Sequence, residues 1–247
     1  MEIHISIDAK QLGIRAAEHA AGILQEAINR QGSARLLLST GSSQFEFFQS
    51  FVKQPIEWDK VVMFHLDEYA GIADSHPASF QLYLKERFIR HITTLGGYHL
   101  IDASGDIQET IVRLNAAVTE APIDLALIGI GENAHIAFND PPANFTTEEP
   151  YIVVDLDHAC KLQQVGEGWF NNVDNVPLQA VTMSVRQIMK SKAIISCVPH
   201  AVKADAIKRT LESDINPLVP ASMLKTHPNW KLFLDRDSAA HVVKKNE

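Results

Sequence analysis

The apolar positions of this chain switch repeatedly between the two-residue period of a strand and the longer period of a helix. Ile3, Ile5 and Ile7 alternate with polar residues, the pattern of a short half-buried strand. Asp8 stands where a cap is needed. Leu12, Ala16, Ala20, Ile23, Ala27 and Ile28 then recur at helical spacing up to Gln31 and Gly32. Arg35–Leu38 is a buried-type strand running into Ser39, Thr40, Gly41, Ser42 and Ser43, and then into the aromatic helix Phe45–Phe51. Val61–Phe64 is a further strand, ending in His65, Leu66, Asp67, Glu68 and Tyr69. A turn and N-cap over 75–79 lead into a helical stripe of Phe80, Leu84, Phe88 and Ile92.

The second half keeps the alternation. Tyr98–Ile101 predicts a short strand, and Asp106 caps a helix marked by Ile107, Ile111, Leu114 and Val118. Leu125–Ile128 is short and wholly apolar, so it predicts a strand buried on both faces, broken at Gly129 and Gly131. Tyr151–Leu156 reads as another strand. From Asp157 to Asn175 no periodicity emerges, which predicts a long irregular segment suited to a lid. Val181–Met183 is a short strand before the helix Ser184–Met189. The buried strand Ala193–Val198 leads into the helix Ala201–Leu211, with Lys203 in its first turn. A short helical return over 217–224 and a last strand, Trp230–Leu234, complete the pattern. Strands alternating with helices, without linker-like stretches or repeats, predict one α/β domain over residues 1–247. Its expected architecture is three-layer, with a largely parallel sheet.

Composition narrows the partners more than the fold. A hydrophobic fraction of 46% and a charged fraction of 21% are ordinary for a globular chain. The net charge of −8 argues against a general nucleic-acid or anionic-membrane surface, while a pocket with a few local donors can still take an anionic small molecule. Cys160 and Cys197 form neither a disulfide framework nor a CxxC metal motif, and Cys197 sits in an apolar run as a core residue. The N-terminus is neither basic nor continuously apolar, and no apolar run reaches the roughly 20 residues of a membrane span. A cytoplasmic setting is expected.

Three polar segments carry the candidate chemistry, and each has a bland reading beside the functional one. Ser39–Ser43 suits phosphate binding, since Ser/Thr hydroxyls and loop N–H groups can donate to one anion, yet many strand–helix turns look alike. It lacks the Gly-Lys-Ser/Thr ending of a P-loop. Asp67 and Glu68 put two carboxylates at a strand's carboxyl end, of which only one is expected to face a pocket; a cap plus a solvated acid is the alternative. Glu132, Asn133, His135 and Asp140 follow the glycine break, where a catalytic histidine and a backbone-bonded one look the same. Parallel strands would bring all three segments to one sheet edge, where α/β ligands sit, and that convergence favours function in each.

Together, from about Leu36 to Leu234, these segments resemble the glucosamine-6-phosphate deaminase (isomerase) and 6-phosphogluconolactonase superfamily. Ser39–Ser43 resembles its phosphate loop. Phe64–Ile72 with His76–Ser79 is similar to the deaminase branch, as is Gly129–Pro141, which follows that branch's GxGxxGHIAFNEP pattern. The resemblance implies a modified Rossmann-type α/β fold and neither a metal nor a nucleotide cofactor. It implies conversion of glucosamine 6-phosphate, or a related amino-sugar phosphate, to a ketose phosphate and ammonia. Asp67 then corresponds to the base moving a proton between C1 and C2, ionised at neutral pH. His135 corresponds to the ring-opening acid/base and Asp140 to the carboxylate that orients it. Ser39, Thr40, Gly41, Ser42, Ser43 and Lys203 correspond to the phosphate ligands.

The chain also departs from that pattern. Asn133 replaces an aspartate, Ala134 a glycine, and Asp140 a longer glutamate. Gly168 stands where deaminases carry a phosphate-binding arginine; Arg186 could substitute, though a surface helix charge is the favoured reading for it, and Gln163, Gln164 and Glu167 are candidates for contacting another part of the substrate. Glu148 and Glu149 occupy a region where an allosteric site would need basic residues, so a non-allosteric enzyme is expected. Lactone hydrolysis and non-catalytic sugar-phosphate sensing are the competing functions, and homo-oligomerisation is left open.

Overall fold

A computed structural model describes residues 1–242. These residues form ten strands: β1 (Glu2–Ser6), β2 (Ala34–Leu38), β3 (Val61–His65), β4 (Asp67–Tyr69), β5 (Gly97–His99), β6 (Leu125–Leu127), β7 (Tyr151–Asp155), β8 (Gln179–Met183), β9 (Ile194–Val198) and β10 (Trp230–Asp235). The α-helices are α1 (Ala9–Gln31), α2 (Phe45–Phe51), α3 (Phe80–Arg87), α4 (Ile107–Thr119), α5 (His158–Gly166), α6 (Val185–Ile188) and α7 (Ala204–Glu212). Seven strands make one sheet in the order β1-β10-β9-β6-β2-β3-β5, every pair parallel. A second, antiparallel sheet has the order β4-β8-β7.

Period-two alternation divides the core between the faces of the large sheet. Leu36, Leu38, Met63, Leu127 and Ile195 pack under α1, α2 and α3. Leu37, Phe64, Ala126, Ile128 and Ile194 pack on the other face against α4, α7 and the small sheet. Asp8 caps α1 by accepting from the Gln11 N–H at 2.7 Å, and Gly32 ends that helix at φ 82. Gly13 lets α1 lie directly on α2: a Cβ there would come 2.5 Å from the Glu46 carbonyl carbon. Winding proceeds from β2 through β3 to β5 and then returns to β2's other side with β6. The direction reverses between β2 and β6, the switch point where open α/β sheets leave a crevice.

Several elements differ from the pattern read off the sequence. The isoleucines of the first strand face outward, with Ile3 39% and Ile5 42% exposed. The inward positions are His4, stacked on Phe233 at 4.5 Å, and Ser6, which accepts from Arg15. At a sheet edge, alternation marks two faces without saying which one is covered. The helical stripe after Ser79 breaks at Phe88 into a 3-10 turn. Lys203 ends a 3-10 turn, Ala201–Lys203, just ahead of α7. The segment read as irregular over 157–175 contains α5, capped by Asp157 through the Cys160 N–H at 2.6 Å. Its buried residues are Cys160 and Gln164, one of them polar, so no apolar stripe announces the helix. Among the described residues no helix is long and apolar enough to cross a membrane.

Candidate active site

β9, β6, β2 and β3 lie side by side, and the segments leaving their carboxyl ends wall a pocket of about 580 Å³. It collects Ser39, Thr40, Gly41, Ser42, Ser43, Asp67, His135 and Lys203 from four separate stretches. Asn133 and Asp140 stand behind His135, off the pocket wall. Arg186 is elsewhere, exposed and paired with Glu148 at 2.9 Å, which removes it as a substitute phosphate donor.

Asp67 and Glu68 lie in β4, not in a loop, and alternation sends them to opposite sides. Glu68 turns away from the pocket and is fully engaged. It accepts from the N–H groups of Tyr69 at 2.9 Å, Phe80 at 3.1 Å and Gln81 at 2.7 Å, and from Ser79 Oγ at 2.8 Å. It thereby ties β4 to the first turn of α3, where negative charge is favoured. Asp67 faces the pocket at 6% exposure. Burial first, and the neighbouring Glu68 charge second, push its carboxyl up to about 8. The free protein therefore holds Asp67 largely protonated at neutral pH, where the sequence alone suggested an ionised base.

His135 is held from three directions. Its ring fills the space over Gly131, where a Cβ would come within 2.2 Å of the imidazole, so any larger residue would push the ring from its place. Its N–H donates to Asn133 Oδ1 at 3.0 Å, and its carbonyl accepts from the Gly131 N–H at 3.0 Å. Asp140 Oδ1 lies 3.1 Å from Nδ1, so the shorter carboxylate does reach the ring, though off the line of a straight hydrogen bond. Asn133 Nδ2 donates to that same oxygen at 3.2 Å, a contact that a second carboxylate would turn into repulsion. Burial alone would raise Asp140, but His135, Asn133 and Cys160 outweigh it and hold its carboxyl below the usual value. Ala134 adopts φ 69 in the turn before His135, a left-handed conformation that strains an L side chain.

Two anchors of this loop were not foreseen in the sequence. Asn139 Nδ2 donates to the carbonyls of Ile136 at 3.0 Å and Met183 at 2.9 Å, and the Phe138 N–H donates to Thr182 Oγ1 at 3.1 Å. Both tie the histidine loop to β8. Their cue was a buried polar pair in an otherwise apolar neighbourhood, visible only once β8 is known to lie alongside. His135, Asp140 and Cys160 each offer one ligand-type atom within 4.8 Å of the others. Burial, reinforced by the charge of Asp140, keeps the Cys160 thiol protonated. A metal would require the thiolate, which that burial disfavours.

The other end of the pocket is built from the β2–α2 turn and Lys203. Gly41 sits at φ 96, a backbone angle that favours glycine, and its carbonyl accepts from Tyr83 Oη at 2.9 Å. Lys203 is 4% exposed and lines the pocket; burial lowers its pKa, opposed by the charges of Glu167 and Glu132. His200, at φ 78, donates its N–H to Asp235 at 2.9 Å and sets the turn that delivers Lys203. α5 closes the remaining wall. Gln164 accepts from Tyr69 Oη at 2.5 Å, and Gln163 accepts from the Glu132 N–H at 3.2 Å. Gln163, Gln164 and Glu167 all line the pocket, whereas Gly168, at φ 81, contributes no donor side chain.

Residues 7–232 match the family model described as glucosamine-6-phosphate isomerases/6-phosphogluconolactonase. The chain is 32% identical to the glucosamine-6-phosphate deaminase of Oenococcus oeni, over 94% of this chain and 96% of that protein. It is 33% identical to the glucosamine-6-phosphate deaminase of Streptococcus agalactiae, over 93% and 96%. A solved monomeric glucosamine-6-phosphate deaminase of the NagB superfamily superposes with a TM-score of 0.87 at 26% identity, covering 98% of this chain and all of that one. The 6-phosphogluconolactonase of Trypanosoma brucei shares the fold, with a TM-score of 0.79 at 15% identity over 98% of each chain. On sequence and architecture alike, this chain belongs to the glucosamine-6-phosphate isomerase/6-phosphogluconolactonase family.

Proposed function

We propose that the protein converts glucosamine 6-phosphate, or a closely related amino-sugar phosphate, to fructose 6-phosphate and ammonia. The observation that carries this reading is one pocket containing a buried carboxyl, a braced imidazole and an anion cradle, each from a different strand end. Ser39–Ser43 and Lys203 hold the phosphate and fix the sugar's register. His135, steadied by Asp140, relays a proton between the ring oxygen and the anomeric hydroxyl as the ring opens. Asp67 takes the proton from C2 and returns it to C1 while the C2 ammonium gives up a proton and O1 gains one, leaving a C2 iminium that water hydrolyses to the ketone with loss of ammonia. Its high pKa in the free site suits this role, because a substrate ammonium brought beside it favours the ionised form. Asn133 acts through Asp140 and not on the substrate.

The test is an incubation of the purified protein with glucosamine 6-phosphate, following ammonia and fructose 6-phosphate together. Both are expected in equal amounts. Absence of both products across a panel of hexosamine phosphates would overturn the proposal. Hydrolysis of 6-phosphogluconolactone in a parallel assay would move the chain to the lactonase reaction, and sugar-phosphate stabilisation without turnover would move it to sensing.

A further inference from the structure

The anion cradle contains an anion of its own. Glu167, just beyond α5, accepts from Ser42 Oγ at 3.2 Å and from Trp169 Nε1 at 3.1 Å through one carboxylate oxygen. It accepts from Gln163 Nε2 at 2.7 Å through the other. Ser42 and Lys203 line the same pocket, and no hydrogen bond or ion pair to Lys203 Nζ occurs among the described residues. A serine hydroxyl has one proton to donate, and a carboxylate and a phosphate are both acceptors. They therefore compete for Ser42, and their like charges repel across the cradle.

We infer that Glu167 sets the affinity of the anion cradle, holding the Ser42 hydroxyl until a substrate phosphate displaces it. The inference rests on the reading that this cradle receives the substrate's phosphate. Glu167 is a built-in competitor present at every stage of the reaction, so it weakens binding of ground state and transition state alike. Such an effect raises KM and leaves kcat untouched. It also makes Lys203 the one cation set against the incoming phosphate within the described pocket, with no arginine at Gly168 to offset the carboxylate.

The experiment compares the full chain with Glu167→Gln, which keeps the shape but removes the charge and leaves only a weaker, neutral acceptor for Ser42. Calorimetric titration with inorganic phosphate reads the cradle without any turnover. Phosphate is expected to bind about tenfold more tightly to the variant, and KM for glucosamine 6-phosphate to fall by a similar factor with kcat carrying none of the change. Glu167→Ala is the second variant should Glu167→Gln fold poorly, with the same direction expected. Unchanged or weaker phosphate affinity in a variant that melts like the parent overturns the inference, even if both proteins release ammonia. Tighter phosphate binding without ammonia from either protein upholds the inference and removes the proposed reaction instead.

Discussion

The two ends of the pocket handle charge in opposite ways. At the His135 end the charged groups are shielded from water and set close to one another: Asp140 lies 3.1 Å from the imidazole and accepts from Asn133, and behind the pocket Glu68 accepts four hydrogen bonds. At the Ser39–Ser43 end a buried ammonium and a half-buried carboxylate face the same opening, and the carboxylate borrows a hydroxyl from the cradle. Proton transfer demands groups held to a fraction of an ångström, which burial and mutual hydrogen bonding provide. Anion capture demands net charge and donors, and those can be reset by one side chain just beyond α5 without disturbing the other end.

The largest effect is expected at Asp67. Asp67→Asn should lower kcat by about 10²–10⁴-fold, the usual reach of a general acid–base group. The same variant should be more stable than the parent, by an amount that depends on pH. A carboxyl raised to about 8 in the folded protein, against 3.8 unfolded, binds its proton more tightly when folded. Parental stability is therefore lost as pH rises from about 4 to 8, of order 1 kcal/mol per pH unit at most. Melting curves at pH 5 and pH 8 should show the gap between variant and parent widening at the higher pH. For the same reason kcat/KM of the parent should climb with pH towards 8; a flat profile would exclude Asp67 as the base.

Gly131→Ala comes next, because its Cβ has no room beside the imidazole. A loss of about 10²-fold in kcat is expected, and unaltered turnover would exclude His135 from the proton path. Lys203→Met sharpens the contrast from the other end. It should raise KM by about ten- to a hundredfold, the value of a charge-assisted hydrogen bond of about 1.5–3 kcal/mol, with kcat less affected. The smallest effect belongs to Ala134→Gly, which relieves a left-handed alanine and should stabilise the fold by about 1 kcal/mol in a denaturant titration.

Much of this pocket is legible before any coordinates. The strand–helix alternation and the polar segments after β2, β3 and β6 lead to the right sheet edge, because parallel strands leave their carboxyl ends together. The short segment at Asp67–Tyr69 is harder. It reads as a strand's tail and is instead a strand of the small sheet, because its pairing partner β8 lies more than a hundred residues away. α5 is invisible for a related reason: its buried face is made of Cys160 and Gln164, whose burial depends on Asp140 and Tyr69 and not on apolar periodicity.

What the sequence by itself determined is the α/β layering, the polar turn between β2 and α2 and the place of the histidine loop after β6. These are set by local periodicity, glycine freedom and the order of short motifs. The tertiary structure alone decided that Asp67, not Glu68, faces the pocket, that burial raises the pKa of Asp67, and that Glu167 accepts from Ser42. Each of those depends on which groups meet across the fold and how far water is excluded, quantities that no local run of residues encodes.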